Sequence, residues 1–279
     1  MVLDDLEFAL KTLQYMGNIE RLVIFIDCSL PKVPLQHVMK RFEIIPVALL
    51  AKHLSLTLRR ISTMGPTDLD SLWINHPQLT SLTIDIRGIP DSVIFQPCRL
   101  PSLKQLRVWT WGQISVGLGS PIEKLTISYF SLETSPNPRS MDSTRKMLTA
   151  MSPTLLQLHV EVWGPPESST SALVFFLEQC PNLECVEFHS QSNTPLEAIE
   201  FAQCTSIISA LHQLPQLKYL GLLYLVEPGD FEEFSTRCFD VASNLHLIAF
   251  GHTVRPISRL DKSGVNYRNH LQMNSADPS

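Results

Sequence analysis

The sequence predicts an α/β solenoid, a fold in which short parallel strands stack along one side and helices or loops run along the other. One observation behind this prediction is a three-part apolar pattern that recurs along most of the chain. Another is a proline that precedes many copies of this pattern. The third is the length of 279 residues, which is large for one globular core but ordinary for a repeat array, because each repeat packs only against its neighbours.

The repeated pattern has a second apolar residue three positions after the first and a third two positions later. Clear copies begin at Leu79, Leu103, Ile122, Leu155, Leu183, Leu217 and Leu245. Weaker copies begin at Ile19 and at Leu58, the latter continuing with Ile61 and Thr63. Because side chains alternate along a strand, the second and third apolar residues point into the core and their neighbours point outward. We therefore predict one strand per copy in a single parallel sheet, with these residues buried: Leu82, Ile84, Leu106, Val108, Leu125, Ile127, Leu158, Val160, Val186, Phe188, Leu220 and Leu222.

Prolines mark where the strands are about to begin. They stand two positions before the first apolar residue in five copies, as Pro77, Pro101, Pro153, Pro181 and Pro215. Proline ends a helix and favours an extended segment before it. We predict helices over residues 67–75, 140–151, 169–179, 195–214 and 229–243. The repeat domain is expected to span residues 1–255, with a capping helix over 1–18, and the polar residues 256–279 to form a poorly ordered tail.

The segments CPNLECVEF, LPQLKYL and HPQLTSL resemble strand segments of leucine-rich-repeat proteins, specifically the irregular repeats that follow the F-box in many fungal F-box-like proteins. Cys180 matches the cysteine that the cysteine-containing repeat subclass places in its last helical turn. The resemblance covers about residues 17 to 252. It implies a leucine-rich-repeat horseshoe with a curved parallel sheet inside and helices or loops outside. It also implies a protein-binding role like that of the substrate-recognition repeats of F-box-type ubiquitin-ligase receptors.

In the family that this chain resembles, the F-box is a separate helical module that precedes the repeats and docks the ubiquitin-ligase adaptor. The residues before the first predicted strand, MVLDDLEFALKTLQYMGN, predict one amphipathic helix. We therefore expect that this chain alone does not bind the adaptor. On this expectation it is a stand-alone binder, a gene model that lacks its first exon, or a truncated gene product, which could be without a partner.

The composition argues against two classes of partner. The formal net charge is −5, whereas a protein that holds nucleic acid through its phosphates usually has a basic excess. The longest apolar runs fall short of the roughly 20 residues that span a bilayer. Asp4, Asp5 and Glu7 stand where a secretory signal has basic and apolar residues. We expect an intracellular protein, cytoplasmic or nuclear, with reduced cysteines and with neither nucleic acid nor membrane as a partner.

The sequence contains no Gly-x-Ser-x-Gly elbow, Walker loop or His-Glu-x-x-His motif. Cys180 and Cys185 have no second pair at zinc-ligand spacing, so we interpret Cys180 as a buried structural thiol. We thus predict a protein that is not an enzyme and has no catalytic residue, metal or cofactor. One alternative stays open, an enzyme with an unrecognised His/Glu site on the strand face. His159 and His189 fall on neighbouring strands beside glutamates at 161 and 187, where two imidazoles can share a metal ion or a proton.

The outward strand positions are the predicted binding surface. They mix aromatic, arginine and oppositely charged side chains, and binding hot spots are enriched in Trp, Tyr and Arg. In the second copy, the outward residues are predicted to be Arg60, Ser62 and Met64. The predicted partner site is centred, on the concave face, on Arg107, Trp109, Lys124, His159, Glu161, Glu187 and Tyr219. The basic pair precedes the two glutamates along the chain, which predicts a partner with complementary charges in the same order.

Overall fold

Short strands and helices alternate along the chain. The computed structural model describes residues 12, 20–27, 33–34, 52–59, 61–62, 77–87, 97, 100–130, 138–163, 166–190, 201–222, 231–250 and 257–258. These residues form an open ten-stranded sheet, nine of whose strands run parallel, with helices between the later strands. The structure is therefore an α/β fold whose sheet is not closed into a barrel.

The strands follow one another in the sheet in chain order, except for two short ones that pair apart. Their bounds are β1 (Arg21–Asp27), β2 (Val33–Pro34), β3 (His53–Arg59), β4 (Ile61–Ser62), β5 (Ser81–Ile86), β6 (Gln105–Thr110), β7 (Lys124–Phe130), β8 (Gln157–Val162), β9 (Cys185–Ser190), β10 (Tyr219–Leu222), β11 (Leu247–Phe250) and β12 (Ile257–Ser258). The large sheet has the order β1-β3-β5-β6-β7-β8-β9-β10-β11-β12, and β2 pairs with β4. The predicted parallel pairing is confirmed from β1 to β11.

The connections between the later strands are helical. Their bounds are Trp111–Gly117 for a 3-10 helix, then α1 (Pro138–Met151), α2 (Pro166–Gln179), α3 (Phe201–Leu211) and α4 (Phe231–Val241). These four α-helices confirm the last four predicted helices, although α3 ends three residues earlier than expected. The predicted helix over 67–75 lies outside the described residues, as does the predicted capping helix apart from Thr12, which is helical. Among the helices described, none has both the length and the apolar character needed to cross a bilayer.

The core lies between the sheet and the helices. All twelve residues that the pattern predicts to point inward are at most 1% exposed, which confirms the predicted alternation. On the helical side, Phe176 of α2 packs edge-to-face against Phe188 of β9, with ring centroids 5.8 Å apart. Among the described residues, the helices therefore pack on the inward face of the sheet, and outward residues such as Arg107 are exposed.

One backbone hydrogen-bond arrangement joins each repeat to the next. In each repeat, the carbonyl of the residue just before the strand accepts two hydrogen bonds from the next repeat. The donors are the N–H of the residue just before the next strand and the N–H of the first residue of that strand. Thr80, for example, accepts from Lys104 at 2.9 Å and from Gln105 at 3.0 Å. The accepting residues are Glu20, Lys52, Thr80, Lys104, Glu123, Leu156, Glu184 and Lys218. The arrangement is the same in short and long repeats. Leu106 pairs with Leu125, 19 residues later in the chain, whereas Val186 pairs with Leu220, 34 residues later.

The prediction for the second repeat is wrong. Its strand is β3, in which Leu54 lies between Leu22 of β1 and Leu82 of β5. The outward residues there are His53, Ser55 and Thr57 instead of Arg60, Ser62 and Met64. The segment LSLTL alternates so regularly that it fits several registers, and no proline marks its start. A shift by an odd number of residues then exchanges the two faces.

A short strand lies where the poorly ordered tail is predicted to begin. Ile257 and Ser258 form β12, which pairs antiparallel with Ile248 and Leu247 of β11. This pairing lies beyond the last copy of the repeat. Residues 259–279 lie outside the described residues.

Candidate functional site on the strand face

The outward side chains of β1, β3 and β5–β10 form a surface that we call the strand face. The seven residues of the predicted partner site all belong to it. Arg107 is exposed and the other six are half-buried, in contrast to their fully buried strand neighbours. Because parallel strands lie about 4.8 Å apart, side chains at equivalent positions form rows across the sheet.

One row brings several predicted residues together. It runs from Arg107 through Thr126, His159 and Glu187 to Gly221, one residue from each strand. The preceding row contains Lys124, Gln157, Cys185 and Tyr219, and the following row pairs Glu161 with His189. The register thus brings His159, Glu161 and Glu187 together with His189, whereas Lys124 stands in the preceding row and Trp109 lies on β6, two strands from β8.

His159, Glu161, Glu187 and His189 make up a group that we call the His–Glu cluster. His159 Nδ1 lies 3.0 Å from Glu187 Oε2, and His159 Nε2 lies 3.9 Å from Glu161 Oε1. His189 Nε2 is 3.4 Å from Glu187 Oε1, and the two imidazole centroids are 4.7 Å apart. Each side chain is only about a quarter exposed. The cluster therefore packs two imidazoles around one carboxylate in a partly enclosed place.

The His159 imidazole and the two carboxylates beside it stabilise each other's charged forms. Burial opposes ionisation of Glu187, but the hydrogen bond with His159 and the adjacent His189 imidazole lower the pKa of its carboxyl to about 2. Burial likewise opposes ionisation of Glu161, but His159, Arg107 and His189 hold the pKa of that carboxyl below its usual value. Burial disfavours the charged form of His159, and the two carboxylates outweigh it, so the pKa of this imidazole is raised. Since both glutamates are ionised at neutral pH, His159 Nδ1 must donate to Glu187.

Tyr219 closes one side of the cluster because its neighbour is a glycine. A Cβ placed on Gly221 would lie 2.8 Å from Tyr219 Oη and 3.1 Å from Glu187 Cγ. The phenol therefore folds across Gly221 toward Glu187. Burial and then the negative charge of Glu187 raise the pKa of Tyr219. Gly221 is not among the predicted site residues, although a glycine at an outward strand position is a signal of close approach.

Arg87 is a second residue that is not among the predicted site residues. Its guanidinium forms a bidentate ion pair with Asp85, with Nε and Nη2 each 2.9 Å from a carboxylate oxygen. It also lies 3.9 Å from the centre of the Trp109 ring, within the range of cation–π attraction. Arg87 stands two residues after the outward Asp85, so the same alternation places it on the strand face just beyond β5.

A polar cavity of about 430 Å³ opens on the strand face beside these residues. Arg21, Arg87 and Arg107 contribute guanidinium groups to its wall, and Asp85 and Glu161 contribute carboxylates. Trp109 and the hydroxyl-bearing residues Ser55, Thr57, Thr83 and Ser128 complete its polar lining. Arg107 and Glu161 meet in this cavity, so the basic and acidic groups are less separated than their order in the sequence suggested.

The cysteines near this face are poorly suited to nucleophilic chemistry. Burial, followed by the charge of Glu187, raises the pKa of Cys185 to about 12. Burial also raises the pKa of Cys180 to about 12, and its side chain is fully buried, which confirms its predicted burial. Because the thiolate is the reactive form, both residues are inert thiols at neutral pH.

Comparison of the sequence with protein-family models and with curated proteins finds no match in either case.

Proposed function

We propose that this chain is a non-catalytic leucine-rich-repeat protein that binds another protein on its strand face. The hydrogen-bond arrangement that repeats between successive strands supports the repeat assignment. The proposed shape is a horseshoe whose concave side is the strand face. The described helices pack on the other face of the sheet, and the residues of the predicted partner site are half-buried or exposed, so these side chains are available to a partner.

The single observation that carries this proposal is the composition of the half-exposed strand face around the cavity. Trp109 and Tyr219 offer large rings whose burial gives affinity at a low cost in conformational entropy. The stacking of Arg87 on Trp109 and its ion pair with Asp85 hold that ring in place before a partner arrives. Such preorganisation lowers the entropic cost of association.

The charges of the cavity favour a partner with an acidic group at this point. Three arginines and two carboxylates line it, which leaves one net positive charge. The similarity of CPNLECVEF and LPQLKYL to substrate-recognition repeats extends the proposal to the class of partner, namely an intracellular protein presented for ubiquitination. The proposed compartment is therefore the cytoplasm or the nucleus.

Quantitative affinity capture with three forms of the full chain tests the proposal. The forms are the parent, Trp109→Ala on the strand face, and Lys146→Glu on the exposed side of α1 as a control. Proteins held by the parent and by the control but lost with Trp109→Ala support the strand face. Their purified forms should then bind Trp109→Ala about 2 kcal/mol or more weakly. An unchanged set of captured proteins in all three samples contradicts the proposal.

The His–Glu cluster favours a second candidate, an enzyme that uses His159 or Glu187 in acid–base chemistry. The observation behind it is the hydrogen-bonded carboxylate and imidazole at 3.0 Å, an arrangement that general acid–base catalysis employs. A hydrolase substrate panel measured with the parent and with Glu187→Gln tests this candidate. Turnover by the parent that the variant loses would support it, and turnover equal in both would contradict it.

A further inference from the structure

The His–Glu cluster brings imidazole nitrogens and carboxylate oxygens close together on two neighbouring strands. His159 Nδ1, His189 Nε2 and an oxygen of Glu187 all lie within 4.8 Å of one another. They come from equivalent or adjacent positions of β8 and β9, so the sheet fixes their backbones relative to one another. Two histidines and one glutamate are a ligand set found in zinc proteins.

We infer that His159, Glu187 and His189 form a binding site for Zn²⁺ or a similar first-row transition-metal ion. The inference does not depend on the proposed protein-binding function, and its test needs no partner. A water molecule would complete a four-coordinate set, since three protein ligands leave one position open.

The distances suit this kind of ion. Zinc–nitrogen and zinc–oxygen bonds are about 2.0 to 2.2 Å, so two ligands on one tetrahedral ion lie about 3.3 to 3.5 Å apart. His159 Nδ1 lies 3.0 Å from Glu187 Oε2, and His189 Nε2 lies 3.4 Å from Glu187 Oε1. Because one ligand atom from each residue lies within 4.8 Å of the other two, side-chain rotations that shift these atoms by about 1 to 2 Å would bring them to coordination distance.

His189 provides an independent reason to favour a metal over a closed hydrogen-bond network. Its Nε2 atom is shielded from solvent and has no hydrogen-bond partner among the described residues, although Glu187 Oε1 lies 3.4 Å away. A buried polar atom without a partner is costly. A metal ion between the imidazole and the carboxylate would satisfy that atom and would replace the proton that His159 shares with Glu187.

Glu161 is placed to act as a positioning residue for this site. When His159 coordinates through Nδ1, its Nε2–H points toward Glu161 Oε1, now 3.9 Å away. A carboxylate that accepts from the outer nitrogen of a metal-bound histidine fixes the ring and increases its basicity. Loss of such a group typically weakens metal binding about 10- to 100-fold.

Titration of the metal-stripped full chain with Zn²⁺ and Co²⁺ tests the inference. Isothermal titration should give one Zn²⁺ per chain, and Co²⁺ should give the visible absorption of a four-coordinate nitrogen–oxygen site. Glu161→Gln should keep the stoichiometry and weaken binding about 10- to 100-fold, and Glu187→Gln and His189→Asn should weaken it further. His53→Asn, which removes an exposed histidine from β3 of the same face, should bind like the parent.

The outcomes separate cleanly. Circular dichroism of each variant without metal identifies any variant that fails to fold. If either Glu187→Gln or His189→Asn fails to fold, the other one tests the inference. A parent that shows no saturable binding overturns the inference. So does His189→Asn or Glu187→Gln that binds Zn²⁺ as tightly as the parent, because the ion would then sit on other residues.

Discussion

Cys180 shows how one residue adapts to its place in a repeat. Its carbonyl accepts the N–H of Leu183, as the carbonyl of Leu214 accepts that of Leu217 in a later repeat. The side chains at this position are buried apolar groups, Leu100, Cys180, Leu214 and Ala242. The cysteine therefore behaves as a small hydrophobic residue, and its thiol is held protonated by burial.

The first prediction concerns the reactivity of this thiol. Because burial raises the pKa of Cys180 to about 12, the native protein at pH 8 should leave it unmodified by iodoacetamide. In urea the same cysteine should react at the rate of an ordinary thiol, whose pKa is about 8.5. Peptide mapping by mass spectrometry measures both, with the unfolded sample as the control. Rapid alkylation of Cys180 in the native protein would show that the position is open to solvent.

At the scale of a strand, the inward and outward faces should differ sharply in their contribution to stability. Leu106 of β6 is 1% exposed, and Thr126 occupies an outward position on β7. Leu106→Ala should lower the free energy of unfolding by about 2 to 5 kcal/mol, since it leaves a cavity. Thr126→Ala should lower it by less than about 1 kcal/mol. Urea denaturation gives both values, and similar losses would contradict the assignment of the two faces.

The 3-10 helix replaces an α-helix where the repeat is shortest. Only 19 residues separate Leu106 from Leu125, and the connection is compact enough that a Cβ on Gly117 would lie 2.7 Å from Leu106 Cδ2 and 3.1 Å from Met151 Cε. Both neighbours are buried, so neither has room to move outward. Gly117→Ala should therefore cost about 1 to 3 kcal/mol through overpacking.

A double-mutant cycle isolates this contact. Leu106→Ala removes the atom that the new methyl group would meet, so the double variant should lose less stability than the two single losses combined. Denaturation of all four proteins under the same conditions measures the coupling. Strict additivity would mean that the methyl group is accommodated elsewhere.

Strands are most firmly predicted from the sequence where two signals coincide. At Leu103, Leu183 and Leu217 a proline and the apolar pattern agree, and the strands begin where expected. Around Leu54 the alternation is present but no proline marks the start, so the register could not be chosen. The same alternation correctly placed the candidate site residues on the open face. It could not reveal that Arg87 stacks on Trp109. That contact depends on the conformations of two side chains from different repeats, and the repeats differ in length.

At the scale of the whole molecule, the array gathers residues that are far apart in sequence into one charged surface. Arg21 and Glu161 line the same cavity although they lie on β1 and β8. A partner of the proposed kind would therefore contact several repeats at once, and the charges that these repeats present would set its orientation. Complementary charges of this kind act mainly on the rate of association and on its dependence on salt.

The last prediction tests this charge effect with the partner obtained by affinity capture. Arg107→Glu changes the net charge of the cavity from one positive to one negative, so the approach of an acidic group should be opposed. Association should slow by up to about tenfold at low ionic strength, and added salt should narrow the difference because it screens exposed charges. Lys146→Glu makes the same change in net charge on α1 and should leave the association rate close to that of the parent. Surface plasmon resonance at low and high salt measures these rates for the three proteins. Equal slowing by both variants would show that the effect comes from the charge of the whole molecule. It would contradict the prediction that the charges of the strand face guide the partner's approach.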